Sequence, residues 1–367
     1  MRLSVLDQSP VPEGMTGADA LHNTLELAQL AERLGYHRYW VAEHHGGPML
    51  AGAAPEVLIA AIGAATHTIR VGSGGVMLPH QSPFKVAEVF TELAALYPSR
   101  IDLGLGRAAG TDPLTTYALQ RDRRASSPDD FPQQLEELLG YLDSTLPADH
   151  PFKRLESTLP GGPAARPQPW LLGSSPQSAI WAGDLRLPYA FADFISPGGE
   201  PIAESYREHF LAAGPVRPAA DTGSGAGRPD PGVPPDAPTV AVAVWTLCAP
   251  TEEEARYLSA SARMTMRLLR QGQLIQVPPP EKAIDYLTKV GAADDRWIPG
   301  RRGVIGTPEQ VRAGLEQVAT AYGADEVIAV TITFDHAARM RSYELVADAF
   351  GVRPRTGEAG LTAAAPS

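Results

Sequence analysis

Tyr39-Trp-Val-Ala-Glu-His-His-Gly-Gly47 is a short apolar run that ends in a carboxylate and two imidazoles and then meets two glycines. Such a run reads as a buried strand of a parallel α/β fold, delivering Glu43, His44 and His45 to the carboxyl end, where these folds build active sites. Side chains alternate along a strand, so one of His44 and His45 is expected to face the barrel mouth and the other to brace a loop. Imidazole titrates near neutral pH and suits acid-base work, although paired histidines at a strand end also serve as polar caps.

Outward from this strand, short apolar runs alternate with amphipathic stretches along the whole chain, the pattern of βα units around a parallel sheet. The strands are expected at Leu3 to Asp7, Arg38 to Ala42, Ile69 to Val76, Ile101 to Leu105, Trp170 to Leu172, Tyr189 to Phe194, Val240 to Leu247 and Glu326 to Ile332. In Asp19 to Gly35, leucines recur at helical spacing and Gly35 supplies a stop. Further helices are expected at Pro55 to Ala65, Pro83 to Leu96, Pro176 to Asp184, Glu200 to Ala212, Thr251 to Leu269, Pro308 to Tyr322 and His336 to Phe350. Several begin with proline, whose missing N–H is harmless in a first turn. Eight strands interleaved with helices predict a single (β/α)8 TIM barrel over residues 1–352, with insertions after strands 4, 6 and 7.

Three stretches depart from barrel composition. Residues 144–168 are rich in proline and glycine, and 214–238 hold 12 Gly or Pro in 25 positions and are expected to form a flexible loop. Residues 271–303 follow strand 7 at the mouth and read either as a lid or as a plain structural insertion. Residues 353–367 are expected to be a disordered tail.

The chain has 367 residues, 44% of them hydrophobic, and a formal net charge of -11. That charge disfavours nonspecific attraction to nucleic acid or an anionic membrane, while leaving room for a local phosphate pocket. No apolar stretch of roughly 18 residues is present that would span a bilayer, and the amino terminus lacks the basic and apolar pattern of an export signal. Cys248 is the only cysteine, so no intrachain disulfide or cysteine-based metal cluster forms. A cytoplasmic protein is expected, with Cys248 packed as a small apolar residue.

Chemistry is expected at the carboxyl ends of several strands. Strand 3 ends Val71-Gly-Ser-Gly-Gly-Val-Met-Leu-Pro79, where Gly74 and Gly75 either admit a flat ligand or bulge the strand for curvature. Strand 4 ends at Arg107, a fork of donors suited to phosphate or to a rim salt bridge. After strand 5, Gly173-Ser174-Ser175-Pro176-Gln177-Ser178 opens a helix, where amide N–H groups and hydroxyls either bind an anion or cap the helix. All of these fall on one face of the barrel, and together they describe a phosphate-bearing planar cofactor. No Gly-x-Gly-x-x-Gly fingerprint opens a helix after strand 1, which argues against a nicotinamide site.

The chain resembles the bacterial luciferase-like flavin monooxygenase family, in particular the subgroup that includes natural-product tailoring oxygenases. The matching segments include Leu6-Asp-Gln-Ser-Pro10, Trp40-Val-Ala-Glu-His-His45, Ile69 to Pro79, Ile101-Asp-Leu-Gly-Leu-Gly-Arg107, Leu171-Leu-Gly-Ser-Ser175 and Gly306-Thr-Pro-Glu309, in order along the chain. The resemblance implies that His44 is the catalytic acid or base, with Glu43 and His45 as supports. It also implies a cis peptide between Gly74 and Gly75 against the flavin, and a phosphate held by Arg107 and Ser174 with Gln177 or Ser178. A further arginine would come from Arg121, Arg123 or Arg124. At the position where luciferase carries a reactive cysteine, this chain has Gly106, so light emission is not expected.

The implied activity is a two-component FMNH2-dependent monooxygenase. Reduced FMN from a separate NAD(P)H flavin reductase would react with dioxygen, and the resulting flavin hydroperoxide would pass one oxygen atom to a small organic substrate. Leu6, Met77 and Phe194 are candidates for the substrate pocket, although core packing explains them equally well. The resemblance also implies a homodimer through the helices after strands 2 and 3, where Ala60, Ala61, Gly63 and Ala64 permit close contact. Two other readings stand beside this one: a deazaflavin-dependent hydride transferase on the same barrel, and a non-catalytic flavin-binding protein.

Overall fold

The computed structural model describes residues 1–107, 113–119, 130–162, 164–214 and 236–354. Among the described residues nine parallel strands run as β1 Arg2–Asp7, β2 Arg38–Val41, β3 Arg70–Met77, β4 Ile101–Gly106, β5 Gln168–Gly173, β6 Tyr189–Ala192, β7 Val240–Cys248, β8 Gly303–Gly306 and β9 Glu326–Val330. Strands β1 to β7 pair in succession, β7 pairs with β9, and β9 returns to β1, which closes an eight-stranded barrel. The predicted (β/α)8 TIM barrel and all eight of its strands are present. The ninth strand, β8, is an addition that the sequence reading left inside and beyond the third insertion. It pairs with Trp245 to Cys248, while β6 holds Val240 to Ala243. Because Trp245 pairs with both Gly303 and Val330, β8 lies on the β6 edge of β7, beyond the point where β6 ends.

Helices α1 Gly17–Leu34, α2 Pro55–Ala65, α3 Pro83–Leu96, α4 Pro113–Leu119, α5 Phe131–Asp143, α6 Pro176–Asp184, α7 Glu200–Ala212, α8 Glu252–Leu269, α9 Pro280–Lys289, α10 Pro308–Tyr322 and α11 His336–Phe350 surround the sheet. Local chemistry sets their ends. Thr16 and Asp19 form a capping box at the start of α1, and Gly35 ends it in the left-handed region at φ +91. A Cβ at Gly35 would also stand 2.0 Å from the Arg353 carbonyl, so glycine is required there twice over.

Alternation along the strands sorts the core. Val240, Val242 and Val244 join the layer between barrel and helices, whereas Ala241, Ala243 and Trp245 face the barrel interior. From the amino ends upward, the inward positions pass through three kinds of side chain. Arg38, Asp102 and Glu326 form an ionic group with none of the three exposed. Above them Trp40 and Trp170 meet edge to face at 5.3 Å. At the mouth the inward residues shrink to Gly74, Gly106, Ala192 and Ala243, and the barrel is left open there.

The stretches 144–168 and 271–303 lie in the connections after β4 and β7. Much of the proline-rich loop at 214–238 and most of the tail at 353–367 lie outside the described residues. The 271–303 segment packs onto the barrel rather than standing free of it: Ala283, Leu287 and Ala292 bury against Ala260, Met264 and Leu268 of α8. Val277 exchanges backbone hydrogen bonds with Val11 and Glu13. Among the described residues no helix is long and apolar enough to cross a membrane.

Candidate functional site

The small residues at the mouth leave a cavity of about 330 Å3, near the lower end of the ~300–1,000 Å3 typical of small-molecule sites. Trp40 and Ile328 lie at its base, Gly74, Gly75, Ala190, Ala192 and Ala243 form its walls, and Met77, Phe194 and Ile195 stand near its rim. Gly106, Arg107, Phe131, Leu172, Trp181 and the Gly173-Ser174-Ser175 turn also line it. Leu6, Gly74, Gly75, Met77, Arg107, Gly173, Ser174, Ser175, Ser178 and Phe194 were all expected at the site from sequence, and the fold brings them together.

Strand β3 makes the flat wall. Its pairing with β4 shifts register between Gly74 and Val76, so the bulge reading is correct, and the Gly74–Gly75 peptide is cis as the resemblance implied. The irregular stretch of β3 is also the part of it that lines the cavity. A Cβ at Gly74 would come within 2.5 Å of Leu6 Cδ1, and one at Gly75 within 2.6 Å of Leu172 Cδ1 and 2.8 Å of the Gly104 carbonyl.

In the turn after β5 the hydrogen bonds show the capping role. Ser175 is the N-cap of α6, accepting from the Ser178 amide, and Ser178 Oγ donates to the Ser175 carbonyl at 2.8 Å and meets Tyr189 Oη at 2.9 Å. Ser178 is thus tied into the helix start while it also lines the cavity. Gln177 is exposed on the first turn of α6 and does not line the cavity. Ser174 and Arg107 do line it, the latter with its guanidinium 5.7 Å from the centre of the Trp181 ring. Arg121, Arg123 and Arg124 lie outside the described residues.

The stretch Glu43-His44-His45 is placed differently from the expectation. Strand β2 ends at Val41, so strand alternation does not decide which histidine faces inward. None of the three lines the cavity. Glu43 is buried and its Oε2 accepts the Met77 N–H at 2.9 Å, while its Oε1 meets His45 Nε2 at 2.9 Å. The carboxylate therefore ties the loop after β2 to the rim residue at the end of β3. The His44 amide donates to the Gly52 carbonyl at 2.8 Å, and its Nδ1 is buried with no hydrogen-bond partner. Burial, with His45 adding its charge, lowers the His44 pKa to about 4, so the ring is neutral at pH 7.

Sequence reading missed the alanine walls, although their signal is present: Tyr189-Ala-Phe-Ala192 and Val240-Ala-Val-Ala-Val244 place an alanine at every second, inward position. Phe131 and Trp181, whose rings meet at 5.4 Å, had no local signal, because they reach the cavity from helices outside the barrel. Cys248 is buried as expected, and its thiol is pushed up to about 12 by desolvation. A groove of about 620 Å3 lies between α8, β8 and α10, but it contains none of the expected residues. Its Arg256 and Arg296 face Glu252, and its Arg302 binds Glu200 at 2.9 Å.

The family model for luciferase-like monooxygenases matches residues 1–326. The chain is 43% identical over 350 residues to the Bacillus subtilis protein YwcH, covering 95% of this chain and 98% of that one. To the N-acetyl-S-alkylcysteine monooxygenase of Bacillus subtilis it is 37% identical over 357 residues, with 95% and 98% coverage. Among solved structures, apo-MsnO8 superposes with a TM-score of 0.79 at 41% identity, covering 96% of this chain and 99% of that one. More distant barrels share the fold alone. One is the oxygenating constituent of 3,6-diketocamphane monooxygenase in complex with FMN, at 19% identity and TM-score 0.67. Another is an F420-dependent secondary alcohol dehydrogenase with an F420-acetone adduct, at 16% identity and TM-score 0.65.

Proposed function

The chain belongs to the luciferase-like monooxygenase family, and on that premise we propose that it is the oxygenating component of a two-component system. It would take reduced FMN from a separate NAD(P)H-dependent flavin reductase and transfer one atom of dioxygen to a small organic substrate. The observation that carries this reading is the cavity itself, whose apolar walls meet a glycine surface free of Cβ atoms on one side and a helix start with an arginine on the other.

The residues present fit FMN. Gly74 and Gly75 offer the flat surface a ring system needs, and the Gly173-Ser174-Ser175 turn at the amino end of α6 offers amide donors to a phosphate, with Arg107 adding positive charge. When bound, reduced flavin supplies the electrons that activate dioxygen. The protein supplies the rest. Leu6, Trp40, Ala243 and Ile328 exclude water from the base of the cavity. Glu43 holds Met77 at the rim through the Met77 amide. His44, neutral at pH 7 with an unpartnered Nδ1, is the proposed proton carrier, acting from the loop after β2 and not from the cavity wall, with His45 and Glu43 as its supports.

Anaerobic titration with reduced FMN and with reduced F420 tests the cofactor, and oxygen uptake with a generic flavin reductase tests the chemistry. Tighter binding of F420 would replace this reading by hydride transfer. FMN binding without oxygen uptake beyond that of free reduced flavin would make the protein a flavin-binding barrel. A homodimer through α2 and α3 belongs to the same proposal, and sedimentation at micromolar concentration checks it.

A further inference from the structure

Phe194 and Ile195 follow β6 and form part of the cavity rim, where Ile195 is 49% exposed. An apolar residue so exposed is held in place by its backbone. The Phe194 amide donates to the Ala243 carbonyl at 3.0 Å. Its carbonyl accepts two hydrogen bonds, from Trp245 Nε1–H at 2.9 Å and from Arg301 Nη1–H at 2.6 Å. The Phe194 ring meets Trp245 edge-on at 5.6 Å and 86°, and Trp297 packs on Trp245 at 5.9 Å.

The flanking residues are gripped from the same direction. Arg302 stands 3.7 Å from the buried Asp193 carboxylate and 2.9 Å from Glu200. Tyr322 Oη donates to Asp193 at 2.8 Å and accepts the Gly199 N–H at 2.8 Å. Both ends of the 193–200 segment are therefore tied to residues 297–302, the end of the insertion after β7. Trp297, Arg301 and Arg302 do not line the cavity, so their contacts act on it only through this segment. A guanidinium suits the task, since its donors are fixed in a plane and a charged donor to a carbonyl is stronger than a neutral one.

We propose that Arg301 is a positioning residue for the cavity, holding the Phe194–Ile195 wall through the Phe194 carbonyl. On this view the 271–303 insertion shapes the site from outside instead of closing over it as a lid. The cavity's role as a flavin and substrate site rests on the function proposed above; the clamp does not.

Amide hydrogen exchange of the full-length protein and titration with oxidised FMN, read by flavin fluorescence, test this in wild type, Arg301→Met, Arg301→Lys and the surface control Arg312→Met. Losing a charge-assisted bond is expected to speed exchange within residues 193–200 by about ten-fold or more in Arg301→Met while β1 to β4 stay protected. Arg301→Lys restores most of the protection, Arg312→Met changes nothing, and Arg301→Met weakens FMN binding by about three-fold or more. Trp245→Phe, which keeps the ring and removes the other donor, loosens the same segment. Unchanged exchange at 193–200 in Arg301→Met overturns the proposal, as does loosening spread evenly over the barrel, or unaltered FMN affinity. A wild type that binds no FMN removes the functional reading, and the exchange pattern then decides the clamp alone.

Discussion

Arg38 Nη1 stands 2.6 Å from Asp102 Oδ2 inside the barrel, with neither side chain exposed to solvent. Arg38 Nε also binds Glu326 at 2.6 Å, and the guanidinium lies 4.6 Å from the centre of the Trp170 ring. Arg70 adds a second guanidinium on Asp102, and Trp40 Nε1–H donates to the same carboxylate at 3.0 Å. This group plugs the amino end of the barrel directly beneath the tryptophans at the base of the cavity.

Arg38→Met leaves Asp102 and Glu326 buried with one partner fewer each. Removing one member of a buried ion pair costs about 3–5 kcal/mol, because the remaining charge stays desolvated. Urea unfolding at pH 7 measures the difference. A loss below ~1 kcal/mol would mean that Arg70 and Arg2 suffice to neutralise the two carboxylates.

His44 gives the protein a dependence on pH whose sign is fixed. Its folded pKa is near 4, while an unfolded histidine titrates near 6.5, so the unfolded chain binds the extra proton first as pH falls. Stability from keeping this ring neutral is fully present above about pH 6.5 and is lost as pH falls toward 4. Asp7 and Glu326 are also held below their ordinary values: burial works against both charges, but Arg339 together with hydrogen bonds from Tyr39 and Ser9 outweighs it at Asp7, and Arg38 together with its basic neighbours outweighs it at Glu326. Their contribution is lost at lower pH still. His44→Gln is therefore expected to flatten the unfolding free energy between pH 6.5 and 4 relative to wild type, measured by denaturant melts at several pH values. Parallel pH curves for the two proteins would show that His44 titrates normally.

Much of this was legible in the sequence because strands and barrels obey short-range rules. Alternation in Val240-Ala-Val-Ala-Val-Trp245 and the glycine stops of the helices fix faces and ends within a few residues. Gly74-Gly75, Arg107 and Gly173-Ser174-Ser175 were legible for the same reason, since each lies in or just beyond the carboxyl-terminal half of its own strand. What was not legible depends on distance along the chain. Glu43 reads as a catalytic carboxylate until Met77, on the next strand, is seen to use it. Arg301 reads as part of an insertion until Phe194 appears within hydrogen-bond reach, and Phe131 and Trp181 enter the cavity only because α5 and α6 pack against the barrel.

The two glycines of the flat wall differ in what surrounds them. A methyl at Gly74 meets Leu6 Cδ1, the far end of a side chain able to rotate, but one at Gly75 also meets the Gly104 carbonyl, which is fixed in β4. Gly75→Ala is therefore expected to destabilise the protein by about 1–3 kcal/mol and Gly74→Ala by less. FMN affinity is expected to fall in both, because each methyl displaces atoms of the cavity wall. Equal thermal midpoints for the two variants would show that β4 yields as readily as a leucine.

Ala243 offers the cleanest separation of site from fold. It is an inward residue of β7, pairs with Ala192 across the β6 edge and with Ile328 across the β9 edge, and is 5% exposed at the cavity wall. In Ala243→Leu the added carbons project into empty space rather than into packed neighbours, so stability is expected to stay within about 1.5 kcal/mol of wild type. The same carbons take volume from a cavity of about 330 Å3 that has none to spare for a three-ring ligand. FMN affinity should fall by about ten-fold or more, equivalent to ~1.4 kcal/mol of binding free energy. The measurement is a fluorescence titration beside a thermal melt on the same preparation. Undiminished FMN binding by a stably folded Ala243→Leu protein would place the flavin outside this cavity, leaving the groove beside Arg302 as the next site to examine.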